Sequence, residues 1–268
     1  MKATIYTTSG KKKSEMELPK VFSTPYRPDL IKRAFLSALT ARLQPWGANK
    51  NAGKRTSGEG IGTGFGMARI KRVKGGAFRS GRKGRPYAPK FRSFPAAGVA
   101  VFAPQVMGGR RAHPPKAESI LHERINKKER QKAVQSAIAA TANEEIVRSR
   151  GHKFELSLPL IVEDSLQDVT KAKQAKEILE SLKLTEELDR SGERSIRAGK
   201  GKTRSRRYRT RVGPLIVVAE DKGVSKAVAS LGLDVVNAKQ LNTELLSPGA
   251  HGARLVIWTE SAIRSLGA

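Results

Sequence analysis

The stretch PLIVVA at residues 214–219 contains five consecutive apolar residues, and it decides the fold class. Similar short runs recur as PLIVED at 159–164, DVVN at 234–237 and RLVIW at 254–258. Continuous apolar runs, without alternation of polar residues, are typical of strands buried on both faces. Helical patterns near 170–183 and 223–231 separate these runs. The sequence therefore predicts an α/β fold with a Rossmann-like, mostly parallel sheet that is flanked by helices.

Two further helices and one strand are predicted towards the N-terminus. Ala3, Ile5 and Thr7 form one face of a short strand. A helix opens at Pro28 and ends before Pro45, because its apolar residues recur at spacings of three and four. A second helix is expected from about Glu118 to Ile146.

The composition indicates a polyanionic partner. Of the 268 residues, 52 are Lys or Arg and 24 are Asp or Glu, which gives a formal net charge of +28. Such a chain repels itself until an anion neutralises it, so nucleic acid is the leading partner and an anionic membrane surface the second. No apolar run is long enough to span a bilayer. The absence of cysteine excludes disulfides, thiolate catalysis and cysteine-based zinc sites.

More than half of this charge lies in residues 45–116, where Glu59 is the single acid. Within it, GGAFRSGRKGRPYAPKFRSFPAAG (75–98) has no apolar period and cannot bury enough surface to offset the entropy of ordering it. We therefore predict one globular domain from residues 1–44 and 117–268, with 45–116 as a long extended basic loop inserted after the first helix. The basic residues predicted to bind nucleic acid are Lys50, Lys54, Arg55, Arg69, Lys71, Arg72, Lys74, Arg79, Arg82, Lys83, Arg85, Lys90, Arg92, Arg110 and Arg111.

A second basic cluster occupies residues 195–214, directly before a predicted strand. Its candidate binding residues are Arg197, Lys200, Lys202, Arg204, Arg206, Arg207, Arg209 and Arg211. Both clusters are internal and are interleaved with glycine, proline and aromatic residues, which favours RNA contact over a solvated tail. In the first cluster the candidates for stacking on unpaired bases are Phe78, Tyr87, Phe91 and Phe94.

The two glycine-rich stretches that suggest a nucleotide site do not match the consensus patterns of such sites. The glycines of GTGFG (62–66) do not fit a dinucleotide-binding register, and GKGKT (199–203) lacks the glycine that a P-loop requires five residues earlier. The four histidines have no metal-ligand spacing. The acids Glu177, Glu180, Glu186, Glu187 and Asp189 are interpreted as solvated helix faces.

Two alternative functions stay open at this point. An RNA-modifying enzyme on a doubly wound fold would need a cofactor-phosphate loop at the carboxyl end of a strand, and none is found. A DNA-compacting protein is disfavoured because long loops rich in glycine, proline and aromatic residues suit irregular RNA better than a regular duplex. Binding of methyl-donor cofactors, or competition between duplex DNA and RNA, would discriminate between them.

Several stretches together carry a specific resemblance. They are LPKVFSTPYRPDLIKRA (18–34), GFGMARIKR (64–72), AAGVAVFAPQVMGGRRAHPPK (96–116), NKKERQKAVQSAIAATA (126–142), RAGKGKTRSRRYRTRVGPLIVVAED (197–221) and LLSPGAHGARLVIWTESAI (245–263). In this order they resemble the universal large-subunit ribosomal protein four family, in its archaeal and eukaryotic form.

The resemblance implies a structural, non-enzymatic role in the large ribosomal subunit, in the cytoplasm. It implies partners in large-subunit rRNA, in neighbouring ribosomal proteins and in the nascent peptide, with no membrane. The loop 45–116 would penetrate rRNA and help to form the wall of the polypeptide exit tunnel, with Lys71 to about Lys90 near its tip. No cofactor is expected, and Mg²⁺ only as a counterion of the rRNA.

Overall fold

A computed structural model describes residues 1–63, 67–74 and 98–267. The chain divides into two compact units. The first, here named the α/β unit, comprises Met1–Arg42 and His122–Ala268, and the second, the insert unit, is Leu43–Leu121. The sequence predicts a globular domain of residues 1–44 and 117–268 and a loop of residues 45–116. These boundaries of independently folding parts stay predictions.

The regular elements are numbered in chain order. The strands are β1 Lys2–Tyr6, β2 Lys12–Glu17, β3 Gly58–Glu59, β4 Arg72–Val73, β5 Leu160–Val162, β6 Arg194–Ile196, β7 Tyr208–Thr210, β8 Leu215–Val218, β9 Asp234–Asn237 and β10 Val256–Thr259. The helices are α1 Pro28–Ala41, α2 Lys127–Ala140, α3 Glu144–Ser149, α4 Ala172–Ser181, α5 Thr185–Gly192, α6 Val224–Ala229, α7 Thr243–Leu246 and α8 Glu260–Gly267.

The α/β unit is built on a six-stranded sheet in the order β2-β1-β5-β10-β8-β9. All neighbours pair in parallel except β2, which runs antiparallel to β1 at the edge. In the centre, Trp258 of β10 lies opposite Ile161 of β5 and Val217 of β8. The predicted mostly parallel sheet is confirmed.

Both faces of this sheet are buried, which explains the continuous apolar runs. In β8, Ile216 and Val218 belong to one hydrophobic cluster, whereas Leu215 and Val217 belong to the other. The first cluster includes buried residues of α3, α4 and α6, and the second includes residues of α1, α2, α7 and α8. Helices thus cover both faces, as the fold class requires.

The helix expected from Glu118 to Ile146 was wrong in its extent. Residues 117–126 are not helical, and the helical part is divided into α2 and α3. Ile120 and Leu121, near the predicted start, are exposed, so no packed face supports a helix there. The interruption lies at Asn143, whose side chain accepts hydrogen bonds from the backbone amides of Glu145 and Ile146 and caps α3.

Several elements of the α/β unit were not predicted, and two of them, β2 and α5, have polar sequences. The edge strand β2 is KKSEME, and it is held by backbone pairing with β1. The helix α5 is TEELDRSG, in which polar residues outnumber apolar ones. In both cases tertiary contacts outweigh weak local signals.

In the insert unit, two arms of the chain run side by side in opposite directions. The outgoing arm is residues 43–63 and 67–74, and the returning arm is residues 98–121. Ala48 donates its backbone N–H to Pro115 O (3.0 Å), and Val73 donates its backbone N–H to Val99 O (3.0 Å). Gly53, at φ +71°, approaches Gly109 so closely that a Cβ would lie 2.5 Å from the Gly109 carbonyl oxygen. Only glycine permits this contact between the arms.

Candidate nucleic-acid interface

The second basic cluster forms an antiparallel hairpin of β6 and β7. Arg194 pairs with Thr210, and Ile196 pairs with Tyr208. The Arg197 N–H donates to Arg207 O (2.8 Å) beyond the strands, and Gly199 adopts φ +77° at the tip. Glycine adopts a positive φ of this kind without steric cost. Residues 194–211, here named the basic hairpin, therefore have a defined backbone.

The basic hairpin concentrates exposed cations. It contains nine Lys or Arg residues and no acid. Each of them is exposed: Arg194, Arg197, Lys200, Lys202, Arg204, Arg206, Arg207, Arg209 and Arg211. All eight residues predicted from the sequence for this cluster are brought together here. Arg194 was missed, although its pairing position beside Thr210 places it in the same strand pair.

The hairpin also presents an apolar surface beside its cations. Ile196 and Tyr208 are cross-strand partners, and they are 62% and 54% exposed. Such partners lie on the same face of a hairpin. The guanidinium of Arg207 lies 5.7 Å from the centroid of the Tyr208 ring. An exposed ring beside arginines can stack on an unpaired base while the cations contact phosphates, so Tyr208 joins the stacking candidates.

A buried ionic cluster lies beside the base of the hairpin. Glu187 is completely buried, so the prediction that it lies on a solvated helix face was wrong. Arg190 donates to both oxygens of the Glu187 carboxylate, at 2.8 and 2.6 Å, and to Val212 O at 2.7 Å. The Glu187 carboxylate also accepts from His152 Nδ1 (2.7 Å) and from the Lys153 backbone N–H (3.0 Å). The cluster thereby fastens α5 to the chain that leaves the hairpin.

The protonation states of this cluster follow from its geometry. Burial lowers the pKa of His152, against the opposing attraction of Glu187, so His152 is neutral and donates its Nδ1–H. Burial acts to raise the pKa of Glu187, but hydrogen bonds from Arg190, His152 and Lys153 outweigh it and hold that pKa below its usual range. The carboxylate is therefore ionised and neutralises Arg190.

In the insert unit, several predicted residues lie at the surface. Lys50 pairs with Glu118 (3.1 Å) and Lys74 pairs with Glu59 (3.0 Å). These are exposed pairs, which an RNA phosphate can replace at little cost. Other predicted cations of this unit are exposed, namely Lys54, Arg55, Arg69 and Arg111, and Arg110 is partly exposed.

Two predicted residues of the insert unit make contacts within the unit itself. The half-buried Arg72 donates to Gly98 O (3.0 Å), and the Lys71 ammonium lies 5.1 Å from the centroid of the Phe102 ring. Their side chains therefore help to hold the two arms together. Outside the described residues lie Arg79, Arg82, Lys83, Arg85, Lys90, Arg92 and the aromatic candidates Phe78, Tyr87, Phe91 and Phe94.

The same structure bears on the other candidate sites. Gly199–Thr203 forms the tip of the basic hairpin instead of a turn from a strand into a long helix. In the described ranges, no group of three or more His, Asp or Glu residues could hold a metal ion. Across those same residues, no helix has the length and apolarity needed to cross a bilayer.

Comparison with known proteins agrees with these observations. The model of the ribosomal protein L4/L1 family matches residues 16–268. The large ribosomal subunit protein uL4 of Methanocaldococcus jannaschii is 47% identical over 269 residues, which covers 99% of this chain and 98% of that protein. The uL4 protein of Methanosphaera stadtmanae is 45% identical over 270 residues, with 99% and 96% coverage. The resemblance predicted from the sequence is confirmed, and the chain belongs to the ribosomal protein L4/L1 family.

Proposed function

We propose that this protein is a structural component of the large ribosomal subunit that binds large-subunit rRNA. Its family is one of ribosomal proteins, and its role is structural and non-enzymatic. The observation that carries the rRNA-binding proposal is the basic hairpin, because nine cations without an acid are all exposed on an ordered backbone. A surface of that kind is stable beside a polyanion and self-repelling without one.

The contacts divide into two chemical kinds. The arginines and lysines of the hairpin contact phosphates, which contributes affinity without sequence preference. Tyr208 and Arg207 offer a stacking platform to an unpaired base. Irregular rRNA supplies both ligands in one place, whereas a regular duplex hides its bases. This combination supports rRNA over duplex DNA.

The insert unit has a second role in this proposal. It penetrates the rRNA, helps the subunit to assemble and contributes to the wall of the polypeptide exit tunnel, where the nascent peptide and neighbouring ribosomal proteins are its partners. Its cations, its paired arms and the family membership support this. The protein needs no cofactor of its own, and Mg²⁺ acts only as a counterion of the rRNA.

The first experiment is sedimentation of a tagged full-length copy from cell lysate, with a high-salt wash. Co-migration with the large subunit after the wash is expected, because many simultaneous phosphate contacts hold the protein in place. Release to the top of the gradient would contradict an integral role in the subunit and would leave a peripheral RNA-binding protein.

A second experiment locates the contact by salt dependence. The triple substitution Arg204→Gln, Arg206→Gln and Arg207→Gln is compared with Lys171→Gln, Lys173→Gln and Lys176→Gln, which removes the same charge from exposed positions at and near α4. If each arginine contacts one phosphate, the log–log slope of rRNA affinity against salt falls by about 2–3 in the hairpin variant alone. Equal effects of the two variants would indicate non-specific attraction to the whole chain.

A further inference from the structure

A cleft of about 850 Å³ opens at the base of the basic hairpin. Three separate stretches of the α/β unit line it: residues 149–152 at the end of α3, residues between 190 and 212 in α5, the hairpin and the segment after it, and the turn 248–252. Its lining contains four arginines, Arg150, Arg190, Arg209 and Arg211, together with His152 and His251, and no Asp or Glu. We name it the arginine cleft. A concave surface of this size and sign is a suitable site for an anion.

Arg150 is the residue of the cleft that most requires an anion. It is half-buried, and among the described residues no carboxylate lies within salt-bridge distance of it. Its guanidinium donates to the backbone carbonyl of His251. Most of its five N–H groups have no hydrogen-bond acceptor among the residues that the structure describes. Burial lowers the pKa of Arg150, and the positive charges of Arg254 and Arg190 add to that effect.

The two neighbouring arginines show what Arg150 lacks. Arg190 is neutralised by Glu187, and the buried Arg254 donates to Asp234 Oδ2 (2.6 Å) and to the carbonyl of Gly213 (2.6 Å). Arg150 lies nearer to the surface than the buried Arg254, and its guanidinium has no carboxylate partner among the described residues, so it can bind an anion from solution. A ligand anion in the cleft would supply the missing partner.

The cleft is also preorganised. Arg190 uses its Nε and Nη2 atoms on Glu187 and Val212, so that its position is set before any ligand arrives. Thr210 and Ser195 add hydroxyl groups to the lining. Gly249 and Gly252, at φ +78° and +59°, shape the facing turn without side chains. A fixed guanidinium loses little freedom on binding a phosphate, and the bound state is favoured accordingly.

We propose that the arginine cleft holds one phosphodiester group of an rRNA strand that continues along the basic hairpin. This inference rests on the proposed function. The cleft shares Ser195, Arg209, Thr210 and Arg211 with the hairpin, so the two cationic surfaces adjoin. Arg211 is paired there with the exposed Glu193 (3.2 Å), a pair that a phosphate can replace at little cost. A free nucleotide has phosphate at one end only and would leave the cations of the hairpin without a ligand. A polynucleotide places successive phosphates along both the cleft and the hairpin.

The test uses Arg150→Gln in the full chain, with Arg148→Gln as the matched control. Arg148 lies two residues away on α3, is paired with Glu144 and does not line the cleft. Removing Arg150 leaves no carboxylate unpaired, so the variant is expected to fold, and circular dichroism and the urea midpoint check this. The probes are fragmented large-subunit rRNA, AMP and inorganic phosphate.

For the rRNA probe we expect Arg150→Gln to weaken binding roughly tenfold, as loss of a charge-assisted hydrogen bond does. The slope of log affinity against log salt should fall by about 0.7–0.9, which corresponds to one phosphate, and Arg148→Gln should bind like the wild type. Binding of AMP or inorganic phosphate that depends on Arg150, with unchanged rRNA affinity, would overturn the proposal in favour of a free phosphate ligand.

The reference for all these measurements is the hairpin variant with Arg204, Arg206 and Arg207 replaced by Gln. If that variant loses rRNA affinity while Arg150→Gln does not, the cleft proposal fails and the proposed function stands. If the wild type itself shows no salt-dependent rRNA binding, the proposed function fails. The proposed function also fails if the hairpin variant binds rRNA with the affinity of the wild type.

Discussion

At the scale of single residues, Glu187 determines how the base of the basic hairpin is held. One carboxylate accepts hydrogen bonds from Arg190, from His152 and from the backbone of Lys153. These groups come from α5 and from the segment after α3, which are more than thirty residues apart. The position of Arg190 at the arginine cleft therefore depends on an acid that does not line the cleft.

Replacing Glu187 by alanine is expected to lower the free energy of unfolding by about 3–5 kcal/mol, because the largely buried Arg190 guanidinium and the buried His152 imidazole lose their acceptor. Urea denaturation at neutral pH measures this. The neighbouring Glu186→Ala is the control: Glu186 is exposed and pairs with Lys153, and its loss should change stability by no more than about 0.5 kcal/mol. Similar losses in both variants would contradict the assignment of Glu187 as the anchor.

The neutral state of His152 makes a second residue-scale prediction. Its pKa in the folded protein lies below the ordinary value of 6.5, so the unfolded chain binds the proton more readily. The contribution of His152 to the free energy of unfolding is therefore fully present above pH 6.5. It is lost as the pH falls from 6.5 towards the pKa of His152 in the folded protein. The slope approaches about 1.4 kcal/mol per pH unit for one proton. Urea midpoints between pH 7.5 and 5 measure it.

His152→Asn removes the titrating group and should flatten this dependence, because an asparagine amide can still donate to Glu187. His113→Asn, at an exposed position of the insert unit, should keep the dependence of the wild type. If His152→Asn showed the same loss of stability on acidification, another group would have to be the source.

At the scale of elements, the two helices that replace the single expected one differ in how they begin. Asn143 caps α3 with hydrogen bonds to its side chain from Glu145 and Ile146, at 3.0 and 3.4 Å. Asn126, before α2, makes no such bond. Both are asparagines in an extended conformation, so they form a natural pair for measuring the contribution of a cap.

Asn143→Ala should therefore cost about 1 kcal/mol of stability, since two backbone amides lose their acceptor. Asn126→Ala should stay within about 0.5 kcal/mol of the wild type. Chemical denaturation of the two variants side by side gives the comparison. A larger effect at Asn126 than at Asn143 would show that the cap does not set the start of α3.

At the scale of the whole molecule, the α/β unit contains the large hydrophobic clusters, and the insert unit contributes half of the net charge. Burial of apolar surface is the main source of stability, so the sheet of the α/β unit should not depend on the insert. Trp258, completely buried in that sheet, is a probe for it.

Deletion of residues 70–95 is expected to leave the α/β unit folded and to impair assembly into the large subunit. Trp258 fluorescence during urea denaturation, in a Trp46→Phe background, should keep the midpoint of the undeleted chain, while co-sedimentation with the large subunit should fall. Unfolding of residues 117–268 in the deleted chain would contradict the two-part organisation.

The sequence by itself determined the sheet and the charge. The runs at 159–164, 214–219 and 254–258 predicted buried parallel strands because burial on both faces leaves a continuous local pattern. The eight hairpin cations were likewise visible as neighbours along the chain. Polar elements such as β2 and α5 were not, since pairing and packing hold them rather than their own propensities.

Only the tertiary structure decided the buried state of Glu187 and the composition of the arginine cleft. The cleft joins residues 149–152, 190–212 and 248–252. The sequence around its half-buried arginine, Arg150, has no pattern that marks it as a binding residue. The physical reason is that burial and pairing of a charge depend on which distant segments meet. Local patterns report the face that a residue presents, and long-range packing decides what lies against it.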